Sequence, residues 1–560
     1  MSVHPAAPIL ANQFSTDRVL QTWLRHALPG AVRESIAADL DALGGLAAEA
    51  WREARSRTPA KPVLTGWDAW GERIDRIEST PVWQRGVAMA ARYGLVAAGH
   101  ESTYGEFARC DQFARVYLYH VASEFHTCPL AMSDGAATAL KASGNAQLIA
   151  RSLPRLTSRD PSQMWLSGQW MTELAGGSDV GNSETEARKD ADGQWRLYGR
   201  KWFTSAVIGE MALTLARPQG AATGADALAM FHVETRDATG RWNGLRIDRL
   251  KDKLGTHELP TAEIHLYGTL ATPVGGLDHG VRLIAPMLNV TRTWNAVCAL
   301  ATMRRCLTLA TAYAYQREAF GRRLIEHPLH LATLADMQAE FEAAFQLVFH
   351  LAHLLGRNEA SIATDQERAL LRLLTPLAKA WTGKLAVRIA SETCEAFGGA
   401  GYIENTGIPQ LLRDAQVFPI WEGTTNVLAL DALRAIASVG IEPLLASAGD
   451  LLDQAERTPI PAPMQQPLQD TRASLERIRQ WMPRQSGDTA SWQAGARGLA
   501  FSLARTYAAA LLCRNAALAA ASGDNPQGMH ALGRFCALGL TDLRSPDCGH
   551  ATELLDPPLT

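Results

Sequence analysis

The 560-residue sequence predicts a mainly α protein with a small central β domain. Apolar residues recur at i+3 and i+4 in long stretches on both sides of the middle of the chain. Between about residues 166 and 275 the pattern changes to short β-type runs separated by Gly, Asp and Asn. A chain of this length allows several folding units with large cores and deep clefts. The order helices, small sheet or barrel, helices is layered, and it is not the alternating pattern of a doubly wound nucleotide fold.

Residues 1–165 read as an N-terminal helical domain broken at Pro and Gly. "TPVWQRGVAMAARYGLVAAG" carries helical apolar spacing, and "TCPLAMSDGAATALKASG" gives a turn and an Ala-rich helix. Residues 166–278 read as the β domain, with strands in "QWRLYGRKWFTSA", "ALAMFHVETRD", "GLRIDRL" and "TAEIHLYGTL". Residues 279–457 read as a C-terminal helical bundle, in which Leu300, Met303, Leu307, Ala310 and Ala314 define one buried face of a long helix. A second helix, "DMQAEFEAAFQLVFHLAHLLG", is expected to end at Gly356 as a C-cap. Residues 458–560 read as a linker, "TPIPAPMQQPLQD", followed by an additional helical module and the loop-like tail "LRSPDCGHATELLDPPLT". The sequence holds no internal repeat.

Composition sets limits on function. Apolar residues make up 47% and charged residues 20%, as in an ordinary globular protein. A net charge of −3 supplies no overall attraction for nucleic acid or acidic membranes. The eight cysteines (110, 128, 298, 306, 394, 513, 536, 548) form no C-x-x-C pair and sit mostly in helix-like stretches, so they read as small buried hydrophobes in a reducing compartment. No metal site is expected. The first residues lack the basic start and apolar run of a secretory signal, and Arg505 and Arg514 interrupt the longest apolar window, so the protein is expected in the cytoplasm without membrane insertion. Eight Lys against 46 Arg point to a GC-rich bacterial genome.

Three stretches can carry chemistry. "QVFPIWEGTTNVLAL" (416–430) sets Glu422 among Phe418, Ile420, Trp421, Val427 and Leu428. Among apolar side chains a carboxylate's pKa rises, so that it becomes a proton acceptor near neutral pH, as a general base requires; a solvated acid ahead of a helix fits the same residues. "WMTELAGGSDVGNSETEARKDADGQWRLYGRKWFTSA" (170–206) offers hydroxyls at Thr172, Ser178, Thr204 and Ser205, with Gly176 and Gly177 for close backbone approach; a hairpin with ordinary turn hydroxyls also fits. "QREAFGRRLIEHPLH" places Arg317, Arg322 and Arg323 about a Phe-Gly terminus, suited to a phosphate or to water. Gly398-Gly399-x-Gly401 follows no strand, as a dinucleotide fingerprint must.

In this order, "MTELAGGSDV", "GRKWFTSA", "KDKLGTHELPTAEI", "QREAFGRRL", "FGGAGY", "LLRDA" and "IWEGTTNVL" resemble the acyl-CoA dehydrogenase flavoproteins over roughly residues 70 to 440. The chain length, "RLKDKLG", Trp421 and the C-terminal extension resemble the AidB-type, alkylation-response-like branch. The resemblance implies the helical, β-barrel or sheet, helical-bundle fold of that family, with FAD as cofactor. Met171, Thr172, Trp202 and Thr204 match positions at the flavin, and Gly177 and Ser178 match contacts to FAD phosphate or, for Ser178, substrate. Arg317, Phe320 and the Phe397, Gly398, Gly399 segment match contacts to FAD across a subunit boundary, and Thr424 and Asn426 match FAD contacts after the base. Arg292, Trp421 and Gly423 match positions near substrate, and Glu422 matches the catalytic base.

The reaction implied is α,β-dehydrogenation of an acyl-CoA thioester, in a homo-oligomer, dimer or tetramer, with electron-transfer flavoprotein as a possible acceptor. Trp421, Phe418 and Tyr402 are expected as walls around Glu422. Two positions depart from the family pattern: Glu395 stands where Gln is frequent and His257 where many relatives carry Arg. Weak turnover combined with nucleic-acid association or acyl-CoA sequestration is the alternative for an AidB-type protein. Residues 441–560 hold ten Arg, no Lys and twelve Asp plus Glu, which disfavours an extended DNA-binding face and leaves only a small patch at Arg472, Arg477, Arg479 and Arg484.

Overall fold

The computed structural model describes residues 7–56, 60–457, 459–482, 489–523, 526–544 and 554–555. In chain order, α1 (Arg18–Ala27) and α2 (Gly30–Ser56) precede a hairpin of β1 (Val63–Trp67) and β2 (Arg73–Glu78). Helices α3 (Pro81–Arg92), α4 (Ala108–His120), α5 (Thr127–Ser143) and α6 (Ala146–Leu156) follow. Seven strands come next: β3 (Ser167–Trp170), β4 (Glu186–Lys189), β5 (Trp195–Ser205), β6 (Met211–Pro218), β7 (Ala229–Glu234), β8 (Leu245–Leu250) and β9 (Thr261–Pro273). Helix α7 (Gly280–Gln316) leads to a short hairpin, β10 (Glu318–Ala319) with β11 (Arg322–Arg323). The rest is helical: α8 (Pro328–Glu359), α9 (Asp365–Ala396), α10 (Ile408–Ala415), α11 (Thr425–Val439), α12 (Glu442–Glu456), α13 (Ala462–Trp481), α14 (Thr489–Ala521) and α15 (Gln527–Ala537). The described chain divides into two compact units, one of Ala11–Asp17 with Leu28–Trp294, the other of Arg18–Ala27 with the residues from Asn295 onward and those before Ala11.

In the first unit β6, β4, β5, β9 and β7 pair in succession, and β6 pairs again with β7, which closes a five-stranded barrel. Strand β3 adds to β6 in parallel and β8 to β9 antiparallel. The period-2 alternation of β6 explains the two cores on either side of it. Ala212 and Ala216 join Trp170, Phe231 and Ile264 in one cluster, while Met211, Leu213 and Leu215 pack with Leu140 of α5 and Leu156 of α6. Strand β6 is buried almost throughout, with Thr214 and Arg217 among its apolar residues, and runs parallel to β3 and β4, as strands covered on both faces do.

The helical part of this unit is organised around one buried carboxylate. Asp134 of α5 accepts from Arg109 Nη1 (2.7 Å) and Gln112 Nε2 (2.8 Å) of α4, from His100 Nε2 (2.7 Å) and from Trp294 Nε1 of α7 (2.7 Å). Lys141 Nζ donates to His100 Nδ1 at 2.9 Å, so the ring proton lies on Nε2, toward Asp134. Burial alone would raise the Asp134 carboxyl, but the Arg109 charge and the hydrogen bonds outweigh it and hold Asp134 far below the usual carboxylate range.

Within the helical N-terminal region the β1–β2 hairpin is an element the sequence reading did not contain. In "RIDRIE" the inward position is Asp75, at φ 42°, which accepts from Arg73 Nε (2.9 Å) and from the Ile247 N–H (3.0 Å). A buried charge in place of an apolar residue erased the strand signal.

In the second unit the expected face of α7 is buried at Leu300, Met303, Leu307, Ala310 and Ala314. Gly356 is not a C-cap: α8 continues to Glu359, with Gly356 buried inside it and Ala360 capping through its N–H to Gly356 O. The expected linker is also corrected. Helix α13 begins at Ala462, with Pro461 at the N-cap and Pro463 in the first turn, where a missing N–H costs nothing. Thr458 and most of the tail, with Cys548 and Arg484, lie outside the described residues. The extra helices are fastened to the bundle: Arg505 of α14 donates to Glu340 of α8 (2.7 Å), which also pairs with Arg388 of α9, and Tyr507 hydrogen-bonds His350 (3.0 Å) and Ser447 (2.9 Å). Five of the described cysteines are buried and two half-buried, and none is in a disulfide.

Substituting Asp134→Asn leaves Arg109 without its counter-charge in a dry interior and is expected to destabilise the protein by about 3–5 kcal/mol. Glu101→Gln, which breaks the partly exposed Arg159–Glu101 pair, is expected to cost below about 1 kcal/mol. Chemical denaturation of both variants beside wild type checks the contrast.

Candidate active site

The hydroxyl-bearing candidates Thr172, Ser178 and Thr204 lie in the barrel unit, and the carboxylate candidate Glu422, with Thr424 after it, lies in the helical unit. Met171 and Thr172 leave β3 directly, and Trp202 and Thr204 lie on β5. The Trp202 N–H donates to Thr172 O at 2.9 Å, which joins the two segments. Strand β5 is bulged there: Lys201 pairs with Ile264 and Thr204 with Ala262, so Trp202 and Phe203 together oppose Glu263. A bulge turns side chains out of the alternating register, and bulges gather near active sites. Phe203 is exposed and Trp202 half-buried, with Lys251 Nζ 3.2 Å from the Trp202 ring centroid and 2.7 Å from Glu263.

Beneath this surface is an ion pair that the sequence motifs did not single out. Lys201, 0% exposed, donates to Glu173 Oε1 (2.6 Å) and Leu215 O (2.9 Å). Glu173 also accepts from Thr185 Oγ1 (2.6 Å) and the Glu184 N–H (2.6 Å). Burial would raise Glu173, but the Lys201 charge and these donors outweigh it and hold the carboxyl below its ordinary value. Glu173 adjoins Thr172 and Lys201 adjoins Trp202, so the buried pair fixes both surface segments from behind. The signal was present as strand alternation: a residue next to an outward Trp points inward, and here it is Lys.

Other candidates in this unit take varied positions. Thr204 is fully buried and its hydroxyl donates to Ala262 O (2.7 Å), a pin between β5 and β9. Met171 is buried in the core and Arg292 is buried on α7. Gly177 and Ser178 are exposed, and a Cβ at Gly177 would lie 2.8 Å from Thr172 Oγ1, so only glycine fits there.

In the helical unit Glu422 has φ 57° and Gly423 φ 101°. A left-handed backbone is uncommon for a residue with a side chain. Thr424 follows as the N-cap of α11 with an exposed side chain that makes no cap hydrogen bond, and Asn426 is exposed in the first turn. Phe418 is buried and Trp421 half-buried, whereas Tyr402 is 92% exposed and does not wall Glu422. It sits in a glycine turn whose backbone at Gly401 lies against Cys394, so its ring points to solvent.

The other helical candidates gather at two chain reversals. Phe320 and Gly321, at φ 51° and 81°, are the two central residues of the β10–β11 turn; Phe320 is 97% exposed, and Arg317 is half-buried beside it. After α9, Phe397 is buried and stacks on Tyr313 (centroids 4.3 Å apart), while a Cβ at Gly398 or Gly399 would meet nothing within 4 Å. Glu395 is exposed, and His257 Nε2 hydrogen-bonds Lys253 O at 2.8 Å.

The chain matches four family signatures in sequence: an adaptive response protein AidB N-terminal domain (5–161), an acyl-CoA dehydrogenase middle domain (168–268), an acyl-CoA dehydrogenase C-terminal domain (278–437) and an acyl-CoA dehydrogenase 11 C-terminal domain-like region (446–554). It is 39% identical to acyl-CoA dehydrogenase family member 11 of Caenorhabditis elegans over 96% of this chain and 89% of that protein. It is 33% identical to the putative acyl-CoA dehydrogenase AidB of Escherichia coli over 69% of this chain and 71% of that one. Among solved structures, Caenorhabditis elegans ACDH-11 in complex with C11-CoA superposes with a TM-score of 0.92 at 37% identity, covering 97% of this chain and 93% of that one. The apo form of Bd2924 gives 0.84 at 41% identity, covering 92% and 100%.

The lowered Glu173 carboxyl sets a direction for pH dependence. Its stabilisation is present above the ordinary glutamate value of 4.5 and is lost as pH falls below it through the folded-state value. Wild type is therefore expected to exceed Glu173→Gln by about 3–5 kcal/mol at pH 7, with the gap closing in acid. Denaturation midpoints of the two proteins from pH 7 down to pH 3 check it.

Proposed function

The chain belongs to the acyl-CoA dehydrogenase family of oxidoreductases, and on that premise we propose that it carries out FAD-dependent α,β-dehydrogenation of an acyl-CoA thioester with Glu422 as the base. FAD, when bound, supplies at flavin N5 the acceptor for the β-hydride. The observation that carries the reading is the backbone at Glu422, left-handed at φ 57° and followed at once by Gly423 at φ 101°. Such conformations cost of order 1–3 kcal/mol, persist only where the surroundings enforce them, and gather at active sites.

In this reading the Glu422 carboxylate takes the α-proton. That proton is weakly acidic, so the developing enolate oxygen needs a donor, and we assign the backbone N–H at Glu422 to it. Ser178, Arg292, Trp421 and Gly423 are assigned to substrate. Phe418 and Trp421 are assigned as the apolar walls that limit water at the carboxylate.

The residues present fit FAD. Gly398 and Gly399 leave open space beside their backbones, and the bulge at Trp202 turns an aromatic ring out of register beside Thr172. The N-terminus of α11, with the Thr424 hydroxyl uncommitted to a cap, suits a polar or anionic group. We assign Met171, Thr172, Gly177, Ser178, Trp202 and Thr204 to FAD from the barrel unit, with Met171 and Thr204 acting through their backbones. Arg317, Phe320, Phe397, Gly398, Gly399, Thr424 and Asn426 are assigned from the helical unit. The exposure of Phe320, held in a left-handed turn, supports contact with a second copy of the chain in a homo-oligomer, dimer or tetramer.

For the whole chain we propose the division 1–165, 166–278, 279–457 and 458–560, and electron-transfer flavoprotein as acceptor. Among the described residues no helix is long and apolar enough to cross a membrane. The dehydrogenase reading is preferred to nucleic-acid association because Arg472 is committed to Asp453 and Glu456 (each 2.7 Å) and Arg479 lies 3.6 Å from Glu442.

Anaerobic mixing with a panel of straight-chain acyl-CoAs, including the C11-CoA bound by the nematode relative, is expected to bleach the flavin of wild type. Glu422→Gln, which keeps shape and removes basicity, is expected to slow bleaching by about 100- to 10,000-fold without loss of FAD. An unchanged bleaching rate in that variant sinks the assignment.

A further inference from the structure

Lys379 lies in the interior of α9, is 0% exposed, and donates from Nζ to the Gly423 carbonyl oxygen at 2.6 Å. Gly423 is the residue after Glu422, and the two share the left-handed stretch of backbone. One turn further along α9, a Cβ at Gly383 would lie 3.1 Å from the backbone of Phe418 and Pro419. The same face of α9 therefore meets the 418–423 segment twice, at its start by glycine contact and at its end by a charged hydrogen bond.

We propose that Lys379 is a positioning residue for the base: its ammonium fixes the Gly423 carbonyl and so holds Glu422 in the left-handed conformation that aims the carboxylate. The inference rests on Glu422 being the base. Three physical points support the assignment. An ammonium without access to water is costly, so it is kept only where an acceptor is fixed in place. A left-handed Glu relaxes to a right-handed or extended backbone unless something restrains it, and the restraint must act on the adjoining peptides. A charge-assisted hydrogen bond to the carbonyl of the next residue does this directly, and is about twice as strong as a neutral one. The Gly383 contact explains why the restraint is rigid: α9 and the 418–419 backbone are already in contact one helical turn away.

The test compares wild type, Lys379→Met, Lys379→Arg and Glu422→Gln as FAD-loaded protein, with the acyl-CoA that bleaches wild type fastest. Lys379→Met is expected to lower the bleaching rate constant at saturating acyl-CoA by up to about 100-fold, the scale of an ångström of misplacement, while FAD content and acyl-CoA affinity hold. Its pH–rate profile is expected to shift, and Lys379→Arg is expected to recover part of the rate. A rate constant and pH profile equal to wild type in Lys379→Met overturn the proposal, as does a loss that falls wholly in FAD or acyl-CoA affinity. If Lys379→Met yields no FAD-loaded protein, Lys379→Gln takes its place in the same comparison with the same outcomes. Glu422→Gln separates the two readings: a fast Glu422→Gln overturns the base and this inference with it, whereas a slow Glu422→Gln beside a fast Lys379→Met overturns this inference alone.

Discussion

An ammonium group removed from water must be met by oxygen at a fixed point, and that constraint shapes both candidate segments. Lys201 meets Glu173 and the carbonyl of Leu215 inside the barrel unit. Lys379 meets the carbonyl of Gly423 inside the helical unit. In each case the charged group lies next to a candidate segment: Lys201 adjoins Trp202 in the chain, and Lys379 bonds the carbonyl of the residue after Glu422. Removing a partner from such a contact leaves a charge stranded, so these interactions resist drift more than their net contribution to stability suggests.

Strain and restraint occur together here. The left-handed Glu422 has the Lys379 bond and the Gly383 contact on the same short segment. The bulge at Trp202 has the Lys201–Glu173 pair on one side and Lys251, itself paired to Glu263, on the other. Asp75, left-handed within β2, is held by Arg73 and the Ile247 N–H. A conformation that the local sequence disfavours survives where charge-assisted hydrogen bonds over-determine it.

This explains what could be read from the sequence. Long periodic segments were legible: the buried face of α7 and the strands β5, β7, β8 and β9 follow from apolar spacing alone. The β1–β2 hairpin was not, because its inward position is Asp75, and α13 was not, because prolines legal in a first turn imitate a linker. The candidate segments were legible through family motifs, which mark the outward residues Thr172, Trp202 and Phe320. Their inward neighbours Glu173 and Lys201 sit within the same quoted motifs yet carry no chemical signature, since a surface ion pair and a buried one have the same letters. Lys379 lies 43 positions before Glu422, and only the packing of α9 against the 418–423 segment connects them.

The use of lysine itself becomes informative in a chain with 46 Arg and eight Lys. Arginine presents a planar fork suited to carboxylates, and here it fills that role at Glu234, Glu101 and Glu404. Lysine is a compact point donor that reaches a main-chain carbonyl where a planar fork does not fit. Lys201, Lys253 and Lys379 all donate to main-chain carbonyls, Lys253 to two of them, at Thr256 and Leu259. The same argument bears on the substitutions at Lys379: arginine restores the charge but not the compact shape, so geometry at Gly423 rather than charge alone decides how much of the proposed base's alignment returns.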